Sequence, residues 1–340
     1  MSVGKRWGRV LAVQPWPGLG DAIWHLSAWR AIASHSAHLD LLTKARSRSE
    51  DLFAGEGTIR DILILDRQRD GRGRHDRIGG FFRMAREWRA RAYDTVMIFH
   101  DSPRYAAAAM LASIPQRIGY GVKYQRHFLT RSTLSEAQAT AHLTDKIRAT
   151  LRALELPVSQ SPLRVRPDVA SAVRHHLHGH RQWAGLCVGS SELVKQMGQD
   201  FYSALIPRLA SRGIRGVLLA AGPDQAPLVA HLHRAAKAAN LESFDTMALA
   251  VDEVASLLAV CRWCVGNDTG FLHVAVAMEC PSLGLFGPTP FVGYSPLLKG
   301  VQLSIDDPMG SLEQVWGAVE LLIKESANQT AQESPAVDTS

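Results

Sequence analysis

Short apolar runs of strand length recur along the chain, and a stretch of helical periodicity follows nearly every one. In the first half they are RVLAV (9–13), HLDLLT (38–43), DILILD (61–66), DTVMIFH (94–100) and RIGYG (117–121). Between them, 21–33, 79–92 and 104–113 read as helices. In the first of these, Ile23, Leu26, Ala28 and Ile32 supply one apolar face. Strands alternating with helices predict a parallel sheet covered on both faces, an α/β doubly wound layout.

HLTDKIRATLRALE (142–155) reads as an amphipathic helix, and the Pro- and Ser-rich LPVSQSPLRVRPD follows it. The alternation then restarts. AGLCVG (184–189), RGVLLAAGP (215–223), WCVGN (263–267) and PSLGLFG (281–287) read as strands. Helices are expected over 200–211, on to about 239, over 251–261, from 269 and over 311–325. With 340 residues, two domains are expected: 1–165, 166–325 and a polar, aperiodic tail at 326–340 expected to be disordered. Sheets of this kind bind ligands at the carboxyl ends of their strands.

No apolar run approaches the roughly 18 residues of a membrane span. The N-terminal stretch lacks a signal-peptide layout, so the cytoplasm is the expected location. The four cysteines suit a reducing compartment. Cys261 and Cys264 form a C-x-x-C, but no second pair matches it and the run is apolar, so packing is the expectation. The net charge of +6 favours anionic partners without choosing among them. There is no G-x-x-x-x-G-K-[ST] and no G-x-S-x-G, and no D-x-D suited to holding Mg²⁺ against a sugar-nucleotide. The run RHHLHGH (174–180) reads as a solvated helix face rather than a metal site.

Three stretches carry candidate chemistry. PGLGDAIWH (17–25) follows the first strand and opens a helix. Gly18 and Gly20 begin a G-x-G-x-x-G whose third position holds Ile23, and Asp21 sits where a pyrophosphate would lie. A dinucleotide is therefore disfavoured. Asp21 reads either as a helix cap or as a general base beside glycines that permit close approach. In GSSELVK (189–195), Ser190 and Ser191 offer hydroxyls and Lys195 a mobile cation for a phosphate. In GNDTGFLHVAVAMECPSLGLFGPTP (266–290), a helix start near Thr269 presents free N–H groups, Gly270 permits close approach, and His273 lies one turn on. That is an anion site able to hold a diphosphate. The competing reading makes Asp268 a cap and His273 a packed core residue.

These three motifs, in this order and spacing, resemble family 9 of the glycosyltransferases, the ADP-heptose:lipopolysaccharide heptosyltransferases. The D-T-G-x-x-H core followed by F-G-P-T is the most specific part. The resemblance implies a GT-B fold, two facing Rossmann-like domains, with acceptor binding in the first and the nucleotide sugar in the second. It implies inverting transfer of a heptose from an ADP-sugar to an anionic lipid-linked acceptor of the lipopolysaccharide core. No cofactor, metal or nucleic acid is implied. It places the base at Asp21 and the donor's diphosphate and sugar among Ser190, Ser191, Lys195, Asp268, Thr269, Gly270 and His273. Two departures bear on the donor and acceptor. The middle motif usually continues Lys-Arg/His-Trp-Pro but here reads Lys195-Gln196-Met197-Gly198, and Ser27 stands near the usual helix proline. A related glycosyltransferase with another donor, or a non-catalytic nucleotide-binding module, fits the same motifs.

The arginine-rich segment 67–92 places Phe81, Phe82 and Trp88 among Arg83, Arg86, Arg89 and Arg91. Such a helix suits the inner membrane surface, reached peripherally, or acceptor carboxylates and phosphates. An ordinary helix with Phe and Trp inward and solvated arginines has the same pattern.

Overall fold

A computed structural model describes residues 6–332 apart from 69, 159–160, 178–181, 191, 305–306 and 308. The chain divides into two compact units, Met1–Ser161 and Pro162–Ser340, with the division inside the Pro- and Ser-rich stretch.

The first unit runs β1 (Trp7–Gln14), α1 (Leu19–Trp24), α2 (Leu26–Ser34), β2 (Ser36–Thr43), α3 (Ser49–Leu52), β3 (Asp61–Ile64), α4 (Arg77–Ala90), β4 (Thr95–Ile98), α5 (Pro103–Leu111), β5 (Gln116–Gly119), β6 (Arg131–Ser132) and α6 (Leu143–Ala153). Its strands lie parallel in the order β3-β2-β1-β4-β5-β6. β1 is central, with Val13 level with Leu42 on one side and Ile98 on the other. Leu11, Val13, Val96 and Ile98 pack against Met84, Ala85 and Trp88 of α4 and Tyr105 and the alanines of α5.

The second unit runs α7 (Pro167–Arg174), β7 (Trp183–Cys187), α8 (Gln199–Ala210), β8 (Gly216–Ala220), α9 (Ala226–Ala238), β9 (Glu242–Asp245), α10 (Val251–Leu258), β10 (Trp263–Asn267), α11 (Gly270–Ala277), β11 (Ser282–Phe286), β12 (Leu298–Gln302) and α12 (Leu312–Gln332). Its parallel order is β12-β11-β10-β7-β8-β9. Counted within each unit, both sheets follow the order third, second, first, fourth, fifth, sixth, the doubly wound dinucleotide-fold arrangement.

Two expectations change. The helix expected over 21–33 is two helices with His25 at the junction. His25 Nδ1 takes the backbone carbonyl of Asp21 at 2.7 Å, and the His25 N–H turns instead to Ala22 at 3.2 Å. A side chain that occupies the i−4 carbonyl breaks the helical ladder. At the other end, α12 continues to Gln332, into the segment from 326 expected to lack structure. The remainder of that tail lies outside the described residues.

All four cysteines are buried and free, and Cys264 Sγ lies 3.4 Å from Cys280 Sγ. A Cβ at Gly185 would fall 2.4 Å from Cys264 Sγ, so β7 lacks a side chain where this thiol packs. The C-x-x-C is interior packing, as expected, and hydrogen bonding with the neighbouring thiols of Cys187, Cys261 and Cys280, with burial adding to it, pushes the Cys264 thiol well up.

Candidate active site

In the second unit the site is built at the carboxyl ends of β7 and β10. β10 ends at Asn267, which is fully buried. Its Nδ2 donates to Val188 O at 2.7 Å, while its Oδ1 accepts from Met197 N at 3.2 Å and Tyr202 Oη at 2.8 Å. One amide thus fastens both ends of the loop that carries Ser190 and Lys195. Satisfied buried polar groups of this kind fix a single loop geometry.

Asp268 follows directly. Its Oδ2 accepts from Lys195 Nζ at 3.1 Å and Thr289 Oγ1 at 2.9 Å, and its Oδ1 lies 3.5 Å from His273 Nε2. Burial alone would raise this carboxyl, but His273, Lys195 and Thr289 outweigh it and hold it well below the usual carboxylate range. His273 is buried, with Nδ1 2.7 Å from Tyr294 Oη. Facing an ionised carboxylate, Nε2 of the ring donates toward Asp268, and Nδ1 pairs with the tyrosine hydroxyl.

Thr269, not Asp268, is the cap residue of α11, and its side chain makes no capping bond. The first bond of that helix runs from His273 N to Thr269 O at 3.4 Å, which leaves the amides of the opening turn outside the ladder. Gly270 begins the helix. Ser190 is buried; its Oγ accepts from Glu192 N at 3.3 Å and its carbonyl from Gln196 Nε2 at 2.9 Å. Ser191 lies outside the described residues. Met197, where the resemblance expects tryptophan, is fully buried.

In the first unit, Gly18 is the cap residue of α1 and Asp21 stands at the third helical position. Asp21 Oδ2 accepts the Gly18 N–H at 3.1 Å, so the carboxylate reaches back to the cap rather than being the cap. A Cβ at Gly18 would fall 2.6 Å from that oxygen. Gly20 is buried in the same turn.

Around this turn lie groups that sequence reasoning missed. The Trp16 and His100 rings are 4.9 Å apart, and Lys146 Nζ grips both oxygens of Asp101 at 3.2 Å. Burial lowers His100 to about 4; Asp101 opposes this, and Arg67, Lys44 and Lys146 add to it. Lys44 directly follows β2, Arg67 lies just beyond β3, and His100 just beyond β4. Basic residues placed after successive strand ends were the available signal.

Arg83 and Arg86 are exposed on α4, whereas Arg89 donates to Leu111 O and Ser113 Oγ at the end of α5. Of the His-rich run, His175 caps the end of α7 and His176 stacks on Phe244; 178–180 lies outside the described residues. Among the described residues no group of three or more His, Cys, Asp or Glu is placed to hold a metal ion, and no helix is long and apolar enough to cross a membrane.

Two doubly wound units of the same order, each with polar groups at its strand ends, define the GT-B class. Solved structures share this fold over nearly their whole length. The glycosyl transferase family 9 protein of Veillonella parvula matches at TM-score 0.76 and 18% identity, covering 95% of this chain and 99% of that one. E. coli ADP-heptose lps heptosyltransferase II matches at 0.72 and 20%, covering 93% and 99%. A family model for glycosyltransferase family 9 (heptosyltransferase) matches residues 81–307, and the chain belongs to that family. Lipopolysaccharide heptosyltransferase 2 of E. coli K12 is 24% identical over 229 residues, 62% of this chain. That alignment spans 65% of the relative's own length. Lipopolysaccharide heptosyltransferase 1 of Pseudomonas aeruginosa is 35% identical over 103 residues, 30% of this chain and 27% of that one.

Proposed function

We propose that the protein is an inverting, metal-independent glycosyltransferase. It moves a heptose from an ADP-sugar to an anionic, lipid-linked acceptor of the lipopolysaccharide core. The second unit binds the donor and the first the acceptor.

The observation that carries this reading is the arrangement of Lys195, Thr289 and His273 about Asp268 at the opening of α11. Cleavage of the anomeric C–O bond leaves a diphosphate with added negative charge. Lys195, the Thr269 hydroxyl and the opening amides of α11 supply positive potential for it. Asp268 cannot itself face phosphate oxygens without repulsion. Its role is to hold Lys195 in place before the donor arrives and to accept from sugar hydroxyls afterwards. His273, with both ring nitrogens engaged, acts by orienting Asp268.

The acceptor hydroxyl must lose its proton as it attacks, and Asp21 is the base, with Gly18 making room for its carboxylate. Lys44, Arg67 and Lys146 match the acceptor's acidic groups. The homologue from E. coli described as WaaC was solved with ADP-2-deoxy-2-fluoro heptose, which supports an ADP-linked donor here.

The test is release of nucleoside diphosphate from a panel of ADP-, UDP- and GDP-sugars in the presence of lipid-linked and soluble acceptors. Turnover with an ADP-heptose supports the reading. Turnover with a different donor alone would move the protein elsewhere among glycosyltransferases, in line with Gln196 and Met197 in the middle motif. Binding of ADP without turnover on any acceptor would leave a nucleotide-binding module.

A further inference from the structure

We propose that the outer face of α4, continued by the end of α5, docks the protein onto an anionic lipid bilayer. The inner face of α4 is spent on the core through Met84, Ala85 and Trp88. Its outer face exposes Ile78 by 71% and Phe82 by 54%, one helical turn apart. Met110 and Leu111 of α5 are exposed by 46% and 41%. Arg89 reaches Leu111 O from the last turn of α4, and Arg104 reaches His75 O and Arg77 O near its start. The two helices therefore lie side by side and run the same way, with Ile78 and Phe82 exposed toward the start of α4 and Met110 and Leu111 exposed beside its last turn.

The free charge on the outer face of α4 has one sign. Arg77, Arg83 and Arg86 are exposed, and among the described residues Arg83 and Arg86 have no carboxylate partner. The nearby acids are consumed internally. Asp66 accepts from Arg74 N and Gln68 Nε2, and Asp76 from Gln68 N, Gly73 N and Arg67 Nε. Glu87 is taken by Arg74 and His75. Large apolar side chains interleaved with unneutralised arginines match the headgroup layer of an anionic bilayer: the rings and branched chains enter the acyl boundary while the guanidiniums meet phosphates. A second copy fits worse, because a two-fold contact would set these arginines against themselves.

The proposal rests on the reading that the acceptor is lipid-linked, since docking here would bring the chain to the surface where that acceptor lies. Its test needs neither donor nor acceptor, so its failure is distinct from failure of the transferase reading. The full chain is floated with vesicles of phosphatidylcholine alone and of phosphatidylcholine carrying phosphatidylglycerol. Binding is expected only to the anionic vesicles. Arg83→Glu with Arg86→Glu should weaken it at least about tenfold. Phe82→Ser should weaken it further at high salt, where charge is screened. Arg83→Gln with Arg86→Gln repeats the test with a milder change, and thermal melts identify variants that fail to fold. Equal binding of wild type and well-folded variants, or equal binding to neutral vesicles, would overturn the proposal. So would a dimer in sedimentation equilibrium that Phe82→Ser dissociates while no vesicle binding is seen, which would assign the face to a second copy.

Discussion

The first unit holds two imidazoles that burial, full for His25 and partial for His100, keeps neutral, each lowered to about 4. The second unit, with the same strand order, keeps a carboxylate ionised, because Lys195, His273 and Thr289 outweigh the burial of Asp268. One architecture thus supports opposite electrostatic strategies. A neutral ring packed on Trp29 and Phe99 stiffens the turn that presents Asp21, its Nδ1 tied to the Asp21 carbonyl. A caged carboxylate holds the Lys195 ammonium in a fixed place. The lesson is that strand ends offer positions, and the side chains around them decide which charge survives there.

The sharpest way to break this comparison is to remove one charge at a time. Asp21→Asn should lower kcat by about 10³-fold, in the range of a lost general base, while ADP affinity stays within about twofold. A variant that turns over normally would reduce Asp21 to a helix-capping residue. Isothermal calorimetry with ADP beside steady-state kinetics reads both sides.

Acid should separate the two units. An imidazole held below its unfolded value refuses a proton that the unfolded chain accepts. The first unit therefore keeps its full stability above pH 6.5 and loses it as pH falls from 6.5 toward 4. The loss is roughly 3 kcal/mol for His25, and less for the partly exposed His100. Asp268 is depressed instead, so its contribution is present above the ordinary carboxylate value near 4 and is lost only below it. Hydrogen exchange at pH 7 and pH 5 should show protection falling in residues 6–158 and holding in residues 182–304. Equal losses in both units would refute the contrast.

Asn267→Ala should cost about 2 kcal/mol, because it orphans buried groups at both ends of the loop bearing Lys195. The same change should raise the KM for the donor, and a thermal shift with ADP reads the looser loop. Smallest of all, Tyr294→Phe should lower kcat by about tenfold or less while leaving Tm nearly unchanged. A large fall in Tm with unchanged kcat would make Tyr294 a packing residue alone.

Most of the central architecture was legible in the sequence, because β1, β4, β7, β8, β10 and β11 carry buried apolar runs, and β2 breaks its run only at Asp40. The edge strands β9 (ESFD) and β12 (LKGVQ) and the two-residue β6 carry no such run, so they escaped notice. The break at His25 was illegible for another reason: it depends on where one ring nitrogen turns, not on periodicity. Asp268, Thr269 and His273 stood out because one turn and one helix hold them. Thr289 and Tyr294 reach the same place only through the fold of the segment after β11, and Asn267 only by spanning from β10 to the neighbouring loop. Arg89 looked like its neighbours on α4 but is engaged at the end of α5.

The space at residue 18 has a further use. The oxygen of Asp21 that faces it stands where an added methyl group would crowd it, at 2.6 Å from the added carbon. Alanine there would reaim the carboxylate while leaving its chemistry untouched. The orientation of the acid is therefore heritable through a residue with no functional group, and a protein engineer wishing to re-aim that carboxylate has a dial one turn away from the acid itself.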